Sequence, residues 1–471
     1  MIRSLKIHGF RGFAKEQTID FAIPNFEDNK SGITFFVGGN NTGKTTILEA
    51  LRAFTCRSDN PPSFSEGKRN ARCENGKVHL SVTTQDVKGC TDCCTIDTVD
   101  AGGSSTNYVN GPLNIFVLPS RRFMNYTFGN SLIDRDEYIY HQQSYQHNRS
   151  ASIDEFSSRL FKMQNNKEEF DKLIKSVLGY DLKWTIEQND SGSYYLKLFV
   201  NGGTHSSEGL GDGIWSVFTI CDALYDSKEG DIIAIDEPEL SLHPAYQKKI
   251  MNLLKEYSSK RQIIICTHSP YFVDIDSLIN GAKLHRTTKN AEGNIKVYTL
   301  SEESCKNLSG FTNDLCQPHT LGTEAKEIFF LEDKIIVTEG QEDVIMYKNA
   351  SEKLDCEFQG TFFGWGAGGA EKIRKILMIL SDLGYEKVSV IFDGDKADEK
   401  AKLERTDALS KYNYHIISTD DVRDKDAVCK PKKDGLLNKD GSIKNDKCKD
   451  EISKLIENIN AYMEERQNTI G

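Results

Sequence analysis

Two sets of residues in this chain have the types and spacing that phosphate chemistry requires. The first, Gly38-Gly39-Asn40-Asn41-Thr42-Gly43-Lys44-Thr45-Thr46, fits the pattern G-x-x-x-x-G-K-[ST]. Glycines let successive backbone N–H groups converge on phosphate oxygens, and a helix opening at the lysine adds the partial positive charge of its N-terminus. Lys44 then reaches the terminal phosphates and Thr45 offers a hydroxyl to Mg²⁺. Far downstream, Asp236 can hold that ion directly or through water, while Glu237 beside it can polarise an attacking water. His268, in Thr267-His268-Ser269-Pro270, stands where a γ-phosphate could be sensed. A lone histidine is more often a structural hydrogen bonder, so the setting is what singles it out. The second set is purely acidic: Glu339-Gly340-x-x-Asp343 and Asp393-Gly394-Asp395. Hard carboxylate oxygens suit Mg²⁺ or Mn²⁺, and two such ions can clamp the attacking and leaving oxygens of a phosphodiester.

Each group needs an element to deliver it. Ile33 to Val37 is an apolar, β-branched run that predicts a buried strand, and Ile47 to Phe54 continues at helical spacing, so the glycine loop lies between strand and helix. Ile232-Ile233-Ala234-Ile235 predicts a buried parallel strand with Asp236 and Glu237 at its carboxyl end. Gln262 to Cys266 predicts another, tipped by His268. A second α/β unit begins at Lys334, with strands at Ile335–Thr338, Phe358–Phe363 and Val388–Phe392 and a helix over Glu371–Leu383. Acids at the carboxyl ends of its parallel strands meet in one crevice. Gly364-Trp365-Gly366-Ala367-Gly368-Gly369 imitates a dinucleotide loop at the wrong spacing and is read as a turn packed beside that crevice. Val78 to Asp97 predicts strands, Thr98 to Pro112 a glycine- and serine-rich loop, 131–178 helices without sustained heptads, and Trp184 to Val200 a hairpin.

Composition narrows the class. The 471 residues suffice for two or three domains, placed at 1–300, 301–333 (a linker or connecting helices) and 334–471. A net charge of −11 argues against coating nucleic acid through the overall field, though it leaves room for a local basic groove. No apolar run reaches membrane-spanning length and the first residues lack a signal segment, so a cytoplasmic protein without a membrane partner is expected. Twelve cysteines are scattered, and Cys90-x-x-Cys93 lacks a second ligand pair, which predicts free thiols.

The order of these pieces resembles the ABC-type ATPase heads of the SMC/RecF superfamily. The resemblance rests on Phe10-Arg11-Gly12, the phosphate loop, a signature-like Ser206-Ser207-Glu208-Gly209, Asp236-Glu237, Ser241-Leu242-His243-Pro244 and His268. It implies nucleotide contacts from Ser207 and Gly209 and heads that pair so that one signature completes the other's site, giving a homodimer or larger homo-oligomer. The acidic unit resembles the Toprim fold, and head followed by Toprim resembles the OLD (overcoming lysogenisation defect) family of ATP-binding nucleases. The fold class expected is therefore α/β, an ABC-type P-loop head followed by a Toprim domain. The same resemblance implies metal binding by Glu339, Asp343, Asp393 and Asp395, a later acidic element at Asp420-Asp421-Val422-Arg423-Asp424-Lys425, and a basic partner among Lys430, Lys432 and Lys433. It further implies ATP and Mg²⁺ or Mn²⁺ as cofactors, DNA as substrate, antiviral defence as the setting, and a helicase or a reverse transcriptase–DNA complex as a partner. The alternative from another class is a RecF-like DNA-binding ATPase whose Toprim only docks.

Overall fold

The computed structural model describes residues 1–25, 30–73, 76–86, 89, 91–99, 103–120, 133–141, 156–165, 167–200, 203–206, 211–312, 328–330, 332–364, 366–425 and 432–465. The chain divides into two compact units, Met1–Val297 and Tyr298–Gly471.

The first unit is built on a six-stranded sheet in the order Ile295–Thr299, Lys283–Lys289, Ile33–Val37, Gln262–Cys266, Ile232–Asp236, Ile115–Leu118. From Lys283–Lys289 to Ile115–Leu118 all neighbours are parallel. Strands covered on both faces have no solvent side, so the continuous apolar runs at Ile33–Val37, Ile232–Asp236 and Gln262–Cys266 are buried at every position. Helices Lys44–Ala53, Asp212–Tyr225 and Pro244–Tyr257 follow or flank these strands. A five-stranded antiparallel sheet runs Gln17–Asp20, Ile2–His8, His79–Gln85, Thr91–Thr98, Ser104–Asn107, and shares its core with the phosphate-loop helix through Phe10, Ile47, Leu51 and Phe54. Its last strand corrects the loop read over 98–112. Ser-Ser-Thr-Asn carries no apolar alternation, yet as an edge strand it needs only one partner, and it pairs with Thr95–Thr98.

The helical reading of 131–178 corresponds to Arg135–His141, Phe156–Asn165 and Lys167–Leu178, and the hairpin to Lys183–Gln188 and Tyr194–Val200. Cys93 and Cys94 lie on strand Thr91–Thr98 as free thiols, whereas Cys90 falls outside the described residues.

In the second unit four parallel strands run Thr361–Phe362, Ile335–Val337, Val388–Phe392, Asn413–Ile416. The first is shorter than the six residues expected, because an edge strand with one neighbour is hydrogen-bonded only where Ile335 and Ile336 run beside it. Helices Gln341–Leu354 and Asp446–Glu464 pack their apolar faces on Ile336, Phe362 and Ile391, while helix Ala370–Asp382 joins the edge strand to the central one. A two-stranded parallel ribbon, Asp421–Arg423 with Gly435–Leu437, follows the last sheet strand. Helix Glu302–Thr312 lies in the stretch read as a linker; 313–327 fall outside the described residues.

Candidate functional sites

Gly43 adopts φ 102° at the N-cap of helix Lys44–Ala53, and a Cβ there would lie 2.4 Å from Ile295 Cδ1. Only glycine meets both demands. Gly39, Asn40 and Asn41 are exposed at the tip of the loop, and Thr46 is buried beneath it. Thr42 Oγ1 hydrogen-bonds the Gly39 carbonyl at 2.8 Å and stands 2.7 Å from Thr287 Oγ1, so strand Lys283–Lys289 braces the loop from the side. Lys44 is buried, and its Nζ donates to the carbonyls of Gly38 and Gly39 at 3.0 and 2.9 Å, across the mouth of the loop. Burial lowers its pKa. Thr45 Oγ1 donates to Asp236 Oδ2 at 3.0 Å, so the structure brings together the hydroxyl and carboxylate expected to share one Mg²⁺.

Glu237 takes φ 47°, a left-handed backbone that a glutamate adopts only at a cost, and its Oε1 lies 3.8 Å from His268 Nε2. Burial, with the Lys44 charge second, pulls the His268 pKa down to about 4, so the imidazole is neutral near pH 7. One contributor escaped the sequence reading. Glu239 accepts hydrogen bonds from Thr267 Oγ1 (2.8 Å) and the His268 backbone N–H (2.6 Å), clamping the histidine loop to the segment after Asp236. Only its place two residues beyond the Asp-Glu pair could have marked it. Ser207 and Gly209 fall outside the described residues.

The second site lies at the carboxyl ends of strands Ile335–Val337 and Val388–Phe392. Oxygens of Asp343, Asp393 and Asp421 lie within 4.8 Å of one another. Glu339 Oε1 accepts from the Asp393 backbone N–H at 3.1 Å, which ties the two strand ends together. Asp343 Oδ2 accepts from the Gly340 backbone N–H at 2.8 Å, capping helix Gln341–Leu354. The glycine-rich turn packs as expected: Ala367 and Gly369 donate to the carbonyls of Thr338 and Glu339 at 2.9 and 2.8 Å. A Cβ on Gly366, at φ 81°, would lie 2.5 Å from the Gly340 backbone.

Asp395 stands apart from the triad, pairing with Lys396 at 3.1 Å and Lys433 at 3.3 Å, and its pKa is lowered. Asp421, seen in the sequence only within a run of acids, takes the third place. Among the three lysines named, Lys433 approaches Asp395 and Asp421, and Lys430 falls outside the described residues.

Burial, then the charges of Asp343 and Glu339, raise the Asp393 pKa to about 8. Burial raises Asp343 to about 6. Asp421 is 3% exposed and its Oδ1 has no hydrogen-bond partner among the described residues. Buried, mutually repelling, hard oxygen donors with an unmatched acceptor fit a divalent cation. A pH dependence follows. Both groups have folded pKa values above their unfolded ones, so the stability they lend the metal-free chain is lost as pH rises through about 6 and then about 8. A cation favours the ionised forms, so the rise in melting temperature produced by Mn²⁺ should be larger at pH 8 than at pH 5.5. Thermal melts at both pH values check this; an equal or reversed shift contradicts it.

Comparison with known proteins agrees with this layout. An AAA domain family, described with the AbiEii toxin of a type IV TA system, matches residues 102–274. Septu protein PtuA of Bacillus thuringiensis is 27% identical over 307 residues, 58% of this chain and 73% of that protein. An OLD nuclease of Thermus scotoductus is 24% identical over 424 residues, 76% of this chain and 75% of its own length. The chain is OLD-like. Its front is a P-loop ATPase head of α/β fold, as the parallel sheet and the joined Thr45 and Asp236 require. The SMC head domain from Thermotoga maritima is also similar, at 14% identity and a TM-score of 0.38, over 64% of this OLD-like chain and 99% of that one. Among the described residues no helix is long and apolar enough to cross a membrane.

Proposed function

We propose that this OLD-like chain is a metal-dependent DNA endonuclease whose cutting site is a Toprim domain and whose ATPase head controls it. The observation that carries the reading is the convergence of Asp343, Asp393 and Asp421, from three separate segments, onto one point of the second unit. The likeness to an OLD nuclease over 76% of the chain supports it. In this reading the three aspartates hold Mg²⁺ or Mn²⁺, which supplies Lewis acidity and an activated water to a scissile phosphodiester. Glu339 fixes the backbone of Asp393 and so keeps the strand ends in register. The lysines at 425, 432, 433, 439 and 444 lie near these acids in sequence, and attract a phosphate backbone despite the overall negative charge.

At the head, Thr45 and Asp236 hold the Mg²⁺ that accompanies ATP, Lys44 turns from the Gly38 and Gly39 carbonyls to the terminal phosphates, and Glu237 orients water. His268, neutral, donates or accepts one hydrogen bond at the γ-phosphate end. Ser207 and Gly209 of a second copy complete the site, so nucleotide sets how two heads meet. The setting is antiviral defence, and a helicase or reverse transcriptase–DNA partner belongs to that setting rather than to any residue described above.

The test is a supercoiled plasmid incubated with Mn²⁺. Glu339→Ala should reduce nicking by at least about 10²-fold with ATP hydrolysis nearly unchanged, and Lys44→Ala should do the reverse when no partner is present. Equal, negligible nicking by wild type and Glu339→Ala with DNA and metal supplied would remove the nuclease reading. Equal losses from Glu339→Ala and Lys44→Ala would remove the division of labour.

A further inference from the structure

A buried amide ties the turn after Asp236 and Glu237 to the loop that carries His268. Gln247, in the first turn of helix Pro244–Tyr257, is 8% exposed. Both ends of its side chain are engaged: Nε2 donates to the Leu242 carbonyl at 2.8 Å, and Oε1 accepts from Ser269 Oγ at 2.6 Å. Ser269 follows His268, is equally buried, and donates its backbone N–H to Thr267 Oγ1 at 2.9 Å. Leu242 in turn donates its N–H to the Glu239 carbonyl at 3.0 Å, while the Glu239 carboxylate accepts from Thr267 Oγ1 and the His268 N–H. The bonds close a ring that runs Glu239, Thr267, Ser269, Gln247, Leu242 and back to Glu239. Glu237 fastens this ring to the central sheet, its N–H donating to the Cys266 carbonyl at 2.8 Å.

Resting on the reading of His268 at the γ-phosphate end, we infer that Gln247 is a positioning residue for ATP hydrolysis: through Ser269 on one side and Leu242 on the other, it sets where His268 stands relative to Asp236 and Glu237. The imidazole shows why such a residue is needed. Its Nε2 is 3.8 Å from Glu237 Oε1, and among the described residues no hydrogen bond within 3.5 Å holds the ring itself. Its place is therefore set by its backbone, and its backbone by the ring of bonds that Gln247 closes. A misplacement of about an ångström at a reacting phosphate is enough to lower turnover by about 10²-fold. Gln247 touches no reacting atom and acts only through His268. An apolar side chain of similar length would fill the same space but leave the Leu242 carbonyl and the Ser269 hydroxyl without this partner.

The experiment is steady-state ATP hydrolysis by the full chain with Mg²⁺, for Gln247→Met, His268→Ala and the two together. Gln247→Met should lower kcat about tenfold and leave KM for ATP within about threefold. His268→Ala should lower kcat about 10²-fold, as loss of one aimed hydrogen bond at a developing charge does. On top of His268→Ala, Gln247→Met should lower kcat by less than about twofold, because no imidazole is left to misplace. Gln247→Glu adds a pH profile that a packing role would not give. Its protonated carboxyl donates to Leu242 and accepts from Ser269, whereas the carboxylate sets an oxygen against the Leu242 carbonyl. Its kcat should therefore approach wild type at pH 6 and fall below it toward pH 8.5. Ser269→Ala opens the same ring with a smaller change; it should reproduce the kcat loss, and it takes the place of Gln247→Met in the cycle if that chain does not fold. Equal fold-losses from Gln247→Met with and without His268, or an effect on KM alone, overturn the inference and leave His268 in its role. Wild-type turnover by His268→Ala instead removes the γ-phosphate reading and the inference with it.

Discussion

Replacing Asp393 with Asn should abolish Mn²⁺-dependent nicking, by about 10³-fold or more, and at the same time make the metal-free chain more resistant to heat. The two effects have one cause. Asp393 sits among Asp343, Glu339 and Asp421, and burial plus those neighbours hold its carboxyl up to about 8. At pH 8 folding therefore works against ionising it, whereas in the unfolded chain the carboxylate forms freely. An amide of the same shape carries no charge to bury or repel. The gain should be about 1–2 kcal/mol at pH 8, well below what the full pKa difference would give because the group is partly exposed. For a unit of this size that is roughly 2–8 °C in the melting temperature of the second unit. At pH 5 the unfolded carboxyl still ionises, but only part of the interval up to about 8 has been crossed, so the difference should be clearly smaller than at pH 8. The Asn variant should also lose the Mn²⁺-induced shift, since an amide is a weaker ligand for a hard cation than a carboxylate. Differential scanning of both chains at pH 5 and pH 8, with and without Mn²⁺, reads all of this. If the Asn chain melts lower at pH 8, or still gains stability from Mn²⁺, the acidic site is not a repelling cluster that awaits a cation.

What was legible in the sequence follows from how local each signal is. The phosphate loop is contiguous, and strand, turn and helix are all encoded within about twenty residues; Lys44 and Thr45 could be read from that stretch alone. Asp236 was readable because an apolar strand announces it, and its 3.0 Å contact with Thr45 Oγ1 is the outcome. Asp421 was harder. It lies in Asp420-Asp421-Val422-Arg423-Asp424, where three acids compete on and beside a three-residue strand. Topology chooses among them: Asp421 pairs with Gly435 in the ribbon and meets Asp343 and Asp393, while Asp424 turns to Lys444 at 2.9 Å. Asp395 shows the other side of local reading. The Asp-x-Asp spacing suggested two ligands; in the structure Gly394–Lys396 is one turn of 3₁₀ helix and Asp395 pairs with Lys396 and Lys433. Glu239 and Ser104–Asn107 were invisible for a shared reason. Their partners lie far along the chain, and nothing in their own residue types announces them.

The largest stability effect should come from a residue outside both sites. Arg159, on helix Phe156–Asn165, is fully buried and donates from Nε and Nη2 to Asp222 (3.1 and 2.7 Å to Oδ1), and from Nη1 and Nη2 to Asp226 (2.9 Å each). Arg135 continues the chain of charge, 3.3 Å from Asp226 and 3.3 Å from Asp231, the residue that precedes strand Ile232–Asp236. Burial pushes the Asp222 pKa up, and Arg159 is the leading force against that push. Arg159→Leu removes it and leaves a carboxylate with 1% exposure beside the like charge of Asp226, opposed only by the more distant Arg135. The cost should be about 3–5 kcal/mol, the size found when one partner of a buried pair is deleted. Some of that cost is escaped by protonating Asp222, so the loss should be greater at pH 8 than at pH 5. Arg159→Leu with Asp222→Leu should recover most of it, because the pair, once both members are apolar, has no charge to desolvate. Urea unfolding of the full chain, followed through the head transition, measures both. The contrast between single and double variants decides the matter: if the double variant is no more stable than Arg159→Leu, the guanidinium contributes packing rather than charge. If the single variant also slows ATP hydrolysis and the double variant does not restore it, the network holds the start of the strand that delivers Asp236 as well as the helix that carries Asp222.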